Sequence, residues 1–140
     1  MILLDTNVVS EPLRHAPDRR VIEWLDAQSM ETLFLSAITV AELRAGVALL
    51  PPGRRRAGLQ ESLEKRVLPL FTGRVLSFDH VCTHAYAALI AKARSAGVAV
   101  ATADGYIAAI AAANGFAVAT RDISPFGLAG VHVINPWAHA

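Results

Sequence analysis

The chain has 140 residues, 54% hydrophobic and 18% charged, which is enough core for one globular domain and excludes a disordered segment. Thirteen Lys and Arg against twelve Asp and Glu leave a formal charge of +1. A protein that grips long nucleic acid by bulk charge is more basic, so any such contact here needs a local patch.

The single cysteine, Cys82, excludes an internal disulfide and any zinc site built on several thiolates. The opening Met-Ile-Leu-Leu-Asp lacks a basic region and meets a carboxylate at residue 5, which argues against a signal peptide. The longest uncharged run, residues 105–120, is broken by Asn114 and Gly115 and falls short of the roughly 20 apolar residues a membrane span needs. The expectation is a soluble, cytoplasmic protein forming a single domain over residues 1–140.

In chain order, a strand is predicted at Ile2–Leu4, an apolar run without the alternation of a half-exposed strand. A short helix follows at 7–14, then a helix at 18–28 with Asp18 as its cap and Val21, Trp24 and Leu25 on one face. A second strand is expected at 32–35. The helix at 39–50 carries Val40, Leu43, Val47 and Leu50 and stops at Pro51-Pro52. Leu59, Leu63 and Val67, four apart, predict a helix at 54–67. A strand at 74–76 precedes a long helix at 79–96 that ends at Gly97, and a helix at 103–113 ends at Asn114-Gly115. Strands at Ala117–Ala119 and 131–134 complete the pattern. Strands alternating with helices predict an α/β fold: a short, mostly parallel sheet of about five strands between helical layers.

Ligands of such sheets bind beyond the carboxyl ends of the strands. Asp5 ends the first strand, Glu42 lies on the helix after the second, Asp104 opens the helix before the fourth and Asp122 follows that strand. Each has a plain structural reading. Asp5 and Asp122 suit turns, Thr39 and Glu42 have the spacing of a capping box, and Asp104 could cap its own helix. Asp79 reads as a helix cap. Together the four acids form an oxygen-only set suited to Mg²⁺ or Mn²⁺, whose matching chemistry is hydrolysis of a phosphate ester. Three histidines, His15, His80 and His84, and two more, His132 and His139, are scattered and disfavour a metal-free two-histidine mechanism. Arginine supplies 11 of the 13 cations. Arg14, Arg19, Arg20, Arg44 and Arg121 fall near the expected pocket, and Arg54-Arg55-Arg56 reads first as a solvated face.

These motifs resemble a known family. Asp5-Thr6-Asn7 after the first strand is similar to the opening of PIN domains. Thr39-Val40-Ala41-Glu42-Leu43, Asp104 with residues 106–111, and Ala119-Thr120-Arg121-Asp122 resemble their further acidic motifs. The closing Ile134-Asn135-Pro136-Trp137 looks like the FitB-like branch of VapC-type toxins. The resemblance runs in order from residue 2 to 137. It implies a PIN-like domain acting as a Mg²⁺- or Mn²⁺-dependent endoribonuclease, the toxin of a toxin–antitoxin pair. Asp5, Glu42, Asp104 and Asp122 would be catalytic, with Asp5, Asp104 and Asp122 as metal ligands. Thr6, Asn7 and Thr120 would support the pocket, and Arg14, Arg44 and Arg121 are candidate RNA-phosphate contacts. The implied partners are a cognate antitoxin, an RNA substrate and a second copy in a homodimer or a higher-order complex with antitoxin, with no membrane. A degenerate PIN domain that only binds protein or RNA is the alternative. A receiver-like domain lacks its acidic pair and late lysine here, and an Asp-x-Asp phosphatase lacks its second aspartate.

Overall fold

Alternation along three-residue strands builds the molecule from the middle outward. In the computed structural model, which describes residues 1–138, β1 (Ile2–Leu4) turns Leu3 to one face of the sheet and Leu4 to the other, both essentially fully buried. β2 (Leu33–Ser36), β3 (Val75–Leu76), β4 (Ala117–Ala119) and β5 (Val133–Ile134) join it in the order β3-β2-β1-β4-β5, and every pairing is parallel. The expected α/β sandwich with a five-stranded sheet is what the chain forms.

Leu4, Val8, Val9, Val21, Trp24, Leu33, Leu35, Leu43 and Trp137 make the core on one face. They bring in α1 (Thr6–Ser10), α2 (Arg19–Asp26) and α3 (Ala37–Ala48). Leu3, Leu89, Ile107, Ile110, Val118 and Phe126 make the core on the other, beneath α5 (His80–Ser95), α6 (Thr102–Asn114) and α7 (Ile123–Leu128). α6 is the most buried helix, with Ile107, Ala108, Ala109, Ile110 and Ala111 all enclosed. Its alanines let it lie close to the sheet and to α5 while retaining high helix propensity.

Local chemistry moved several boundaries. α3 starts at Ala37 because Ser36, and not Thr39, caps it: the Ser36 hydroxyl accepts from Thr39 N–H at 3.0 Å. The expected helix at 7–14 is α1 followed by a 3₁₀ turn (Glu11–Leu13) with Pro12 in its first turn. The helix expected at 54–67 is α4 (Arg54–Ser62) running into a π-helical turn (Leu63–Val67) and a 3₁₀ turn (Leu68–Phe71). α7 lies in a stretch where no element was expected, and it holds Pro125 and Gly127 within six residues. Pro125 sits in the first turn, where its missing N–H is no loss, and Phe126 anchors the helix in full burial. Asp79 caps α5 as expected, accepting from Cys82 N–H. Among the described residues no helix is long and apolar enough to cross a membrane. His139 lies outside the described residues.

Candidate active site

β1 is the central strand, and the chain adds β2 and β3 on one side of it and β4 and β5 on the other. The reversal leaves a crevice beyond the carboxyl ends of β1 and β4, the usual binding position in a parallel α/β sheet. Asp5 stands in it. Its backbone N–H donates to Ala119 O at 2.9 Å, tying it to β4, and its side chain caps α1 by accepting from Thr6 N–H at 2.8 Å. The Thr120 hydroxyl donates to the other carboxylate oxygen at 2.8 Å. Asp5 is 3% exposed. Burial pushes its carboxyl up to about 6; the Thr120 and Thr6 hydrogen bonds oppose this, and the charges of Asp104 and Glu42 reinforce it.

Glu42 reaches the crevice from α3. The expected Thr39–Glu42 capping box is absent, since Ser36 is the cap and Glu42 is turned to α1, accepting from the Thr6 hydroxyl at 2.7 Å. Thr6 and Thr39 hydroxyls lie 3.1 Å apart, and those of Ser36 and Thr39 3.2 Å. A hydroxyl has one proton. With the Thr6 proton on Glu42, Thr39 donates to Thr6 and Ser36 to Thr39, so a three-hydroxyl chain ends on the carboxylate.

Asp104 does not cap α6; Ala101 occupies that position, and Asp104 lies in the first turn. Its carboxyl is raised by burial first, then by the charges of Asp122 and Glu42. Asp122 stands at the start of α7 without a side-chain cap bond, and its backbone N–H donates to the Thr120 hydroxyl at 3.0 Å. Four carboxylates from four segments thus act on one another across one crevice. Their oxygen-only chemistry suits a hard cation. No three His, Cys, Asp or Glu side chains among the described residues already converge into a metal-holding group. Burial is the main cause of the upward shifts of Asp5 and Asp104, and the neighbouring carboxylates add to it.

Thr120 is the junction of the site, fully buried, donating to Asp5 and accepting from Asp122 N–H. Asn7 links α1 to the same segment: its amide lies 3.5 Å from the Thr120 hydroxyl, and its carbonyl accepts from Arg121 N–H at 3.4 Å. Of the arginines singled out from the sequence, Arg121 borders the crevice, held 5.0 Å above the Trp137 ring. Arg14 is paired with buried Glu11 at 3.1 Å and Arg44 with Glu64 at 2.8 Å, in a separate groove between α3 and the following helical turns. Arg19 and Arg20 pair with Glu23 and Asp18.

Two features escaped the sequence reading. Ser36 and Thr39 orient Glu42, and a strand-end serine before a helical pattern was the available signal. The loop before α6 carries only small and apolar residues, Gly97 to Ala101, where a solvated loop is ordinarily polar.

A family model described as PIN domain matches residues 2–127. The plasmid stability protein StbB of Pseudomonas syringae pv. tomato is 66% identical over 137 residues, 98% of this chain and 99% of that protein. The VapC ribonuclease Y4jK of Sinorhizobium fredii is 57% identical over the whole of both chains, 140 residues. Toxin FitB of Neisseria gonorrhoeae is 54% identical over 137 residues, 98% of this chain and 99% of that protein. The crystal structure of FitAcB from the same organism contains a chain that superposes with a TM-score of 0.94 at 54% identity, over 99% of each chain.

Proposed function

The chain belongs to the PIN domain family, and on that premise we propose that it is a metal-dependent endoribonuclease, the toxin of a toxin–antitoxin pair. The observation that carries this reading is the gathering of Asp5, Glu42, Asp104 and Asp122 at the crevice where the sheet reverses, with Asp5 buried. Relatives named as a VapC ribonuclease and as toxin FitB support it. The same kinship supports a cognate antitoxin as partner, RNA as substrate, a homodimer or larger complex with antitoxin, and action in the cytoplasm.

Asp5, Asp104 and Asp122 would hold the ion, Mg²⁺ or Mn²⁺. A divalent ion held there would supply a water of lowered pKa and would neutralise charge building on the phosphate oxygens. Glu42 orients the attacking water and accepts its proton; the hydroxyl chain ending at Thr6 fixes the carboxylate for that task. The Thr6 N–H and the Thr120 hydroxyl each donate to Asp5, which keeps its two oxygens as acceptors in fixed orientation. Water adds to phosphorus, one P–O ester bond breaks, and the leaving oxygen departs as a hydroxyl by taking a proton from solvent, while Glu42 holds the proton given up by the attacking water. Arg121 offsets the charge of the incoming backbone beside a pocket that is itself negative.

The test is cleavage of a mixed set of single-stranded and structured RNAs in Mg²⁺, Mn²⁺ and EDTA, beside Asp5→Asn and Asp104→Asn. Metal-dependent cuts absent from both variants are expected. Cuts that survive in the variants come from a contaminant and remove the assignment. No cuts, together with no ion binding by titration, would mark a binding module.

A further inference from the structure

Beside the carboxylates lies an open cleft of about 470 Å³ whose makeup differs from that of the pocket it joins. One wall is the loop before α6, with Ala99 and Val100; the other is the start of α7, with Ile123 and Pro125. Asp104 and Asp122 form the shared end and Arg121 stands at the rim. Ile123 is 54% exposed, a large apolar side chain turned to water at the edge of a charged site. Gly105 lets one wall close down: a Cβ there would come within 3.1 Å of the Tyr86 ring and 3.6 Å of Val100. Tyr86 is itself held in a ring cluster with Phe78 and Tyr106, with centroid separations of 6.1 and 4.9 Å. The wall is therefore set by packing.

We propose that this cleft is a nucleobase subsite, taking the base of the nucleotide next to the phosphate bound at the carboxylates. The subsite rests on the nuclease reading for the identity of its neighbour. Its occupant follows from the chemistry of the walls. The two carboxylates repel a further phosphate from the shared end, which leaves a neutral group as the part of a nucleotide that fits. The apolar side chains of Val100, Ile123 and Pro125 offer a surface to one face of a flat ring and make no demand on its pattern of donors and acceptors. A volume of this size lies within the roughly 300–1,000 Å³ of small-ligand sites. Arg121, held over Trp137, is placed for the phosphate that such a base carries with it.

The experiment measures fluorescence anisotropy of labelled single-stranded RNA hexamers, oligo-A and oligo-U, against an abasic hexamer with the same phosphates. Binding is read with Ca²⁺ in place of Mg²⁺, a hard cation for oxygen ligands that activates water poorly, for the wild type, Val100→Ser, Ile123→Ser and a distant control, Leu49→Ser. The wild type is expected to bind the base-bearing RNAs about tenfold more tightly than the abasic one, as burial of one base face warrants. Ile123→Ser and Val100→Ser should bring that ratio close to one without changing abasic binding, and Leu49→Ser should keep it. Equal binding of both RNA types by the wild type, or a ratio preserved in both cleft variants, overturns the subsite. A change of sedimentation in Ile123→Ser with no change in the ratio makes the cleft a protein contact and overturns it as well. Base-dependent binding by a protein that cuts no RNA supports the subsite while removing the nuclease reading.

Discussion

Asp5→Asn should change how stability depends on pH. The Asp5 carboxyl is raised from 3.8 to about 6 in the fold, so the native state holds its proton more tightly than the unfolded chain does. A raised carboxyl favours folding below the unfolded value, and that advantage is lost as pH rises through the folded value. Well above pH 6 the ionised, buried carboxylate costs the metal-free protein about 3 kcal/mol. About half of this is incurred by pH 5, leaving about 1.5 kcal/mol between pH 5 and 8. For a chain of this size that is about 4 °C in Tm. Asparagine keeps the shape and the acceptor for Thr6 N–H but does not ionise. Its amide also forces the Thr120 hydroxyl to turn, so the absolute stability of the variant is not the readout. The difference in slope is. Thermal unfolding of metal-free protein across pH 5–8 should show wild-type Tm falling relative to Asp5→Asn by that amount. Parallel profiles would mean that Asp5 ionises in the fold as it does in water and would refute the argument from burial.

Thr120→Val removes the donor to Asp5 and leaves Asp122 N–H without its acceptor; urea unfolding should show a loss of about 1–3 kcal/mol, and Thr120→Ser should restore stability and cleavage together. Ser36→Ala should lose about 1 kcal/mol in the same measurement through the α3 cap. Thr6→Val should slow RNA cleavage at least about tenfold, because it frees the Glu42 carboxylate, and should lower Tm through the buried Thr39 hydroxyl left without its acceptor; an unchanged rate would separate the hydroxyl chain from catalysis. Arg121→Gln should reduce the slope of log affinity for single-stranded RNA against log salt by about 0.7, whereas Arg44→Gln, whose arginine is engaged by Glu64, should leave it unchanged.

The strands β1 and β4 were legible to the residue because each is an uninterrupted apolar run that stops at a polar residue with work to do, Asp5 and Thr120. α3 was read two residues late at each end: two hydroxyl residues, Ser36 and Thr39, could each have capped it, and the choice depends on where β2 ends in space. α7 was hidden because its stability comes from burying Phe126 against α6 and the sheet, which no local propensity encodes. The four acids could be read as candidates one by one, since each follows or opens an element. Their meeting depends on the strand order, a long-range property. The partners of Arg14 and Arg44 were equally out of reach. Buried Glu11 is close in sequence to Arg14, but Glu64 comes from a helix joined to α3 only through the Pro51-Pro52 turn.

Both margins of the sheet are two residues long, β3 at one end and β5 at the other. An outside strand can recruit itself only to a row of free backbone donors and acceptors, and neither margin offers a row of useful length. This protects the folded chain against edge-to-edge aggregation at high concentration. It also fixes how the protein can be held: a partner that grips it firmly has to do so through helices and loops, by side-chain fit, since backbone pairing along the sheet has almost nothing to extend.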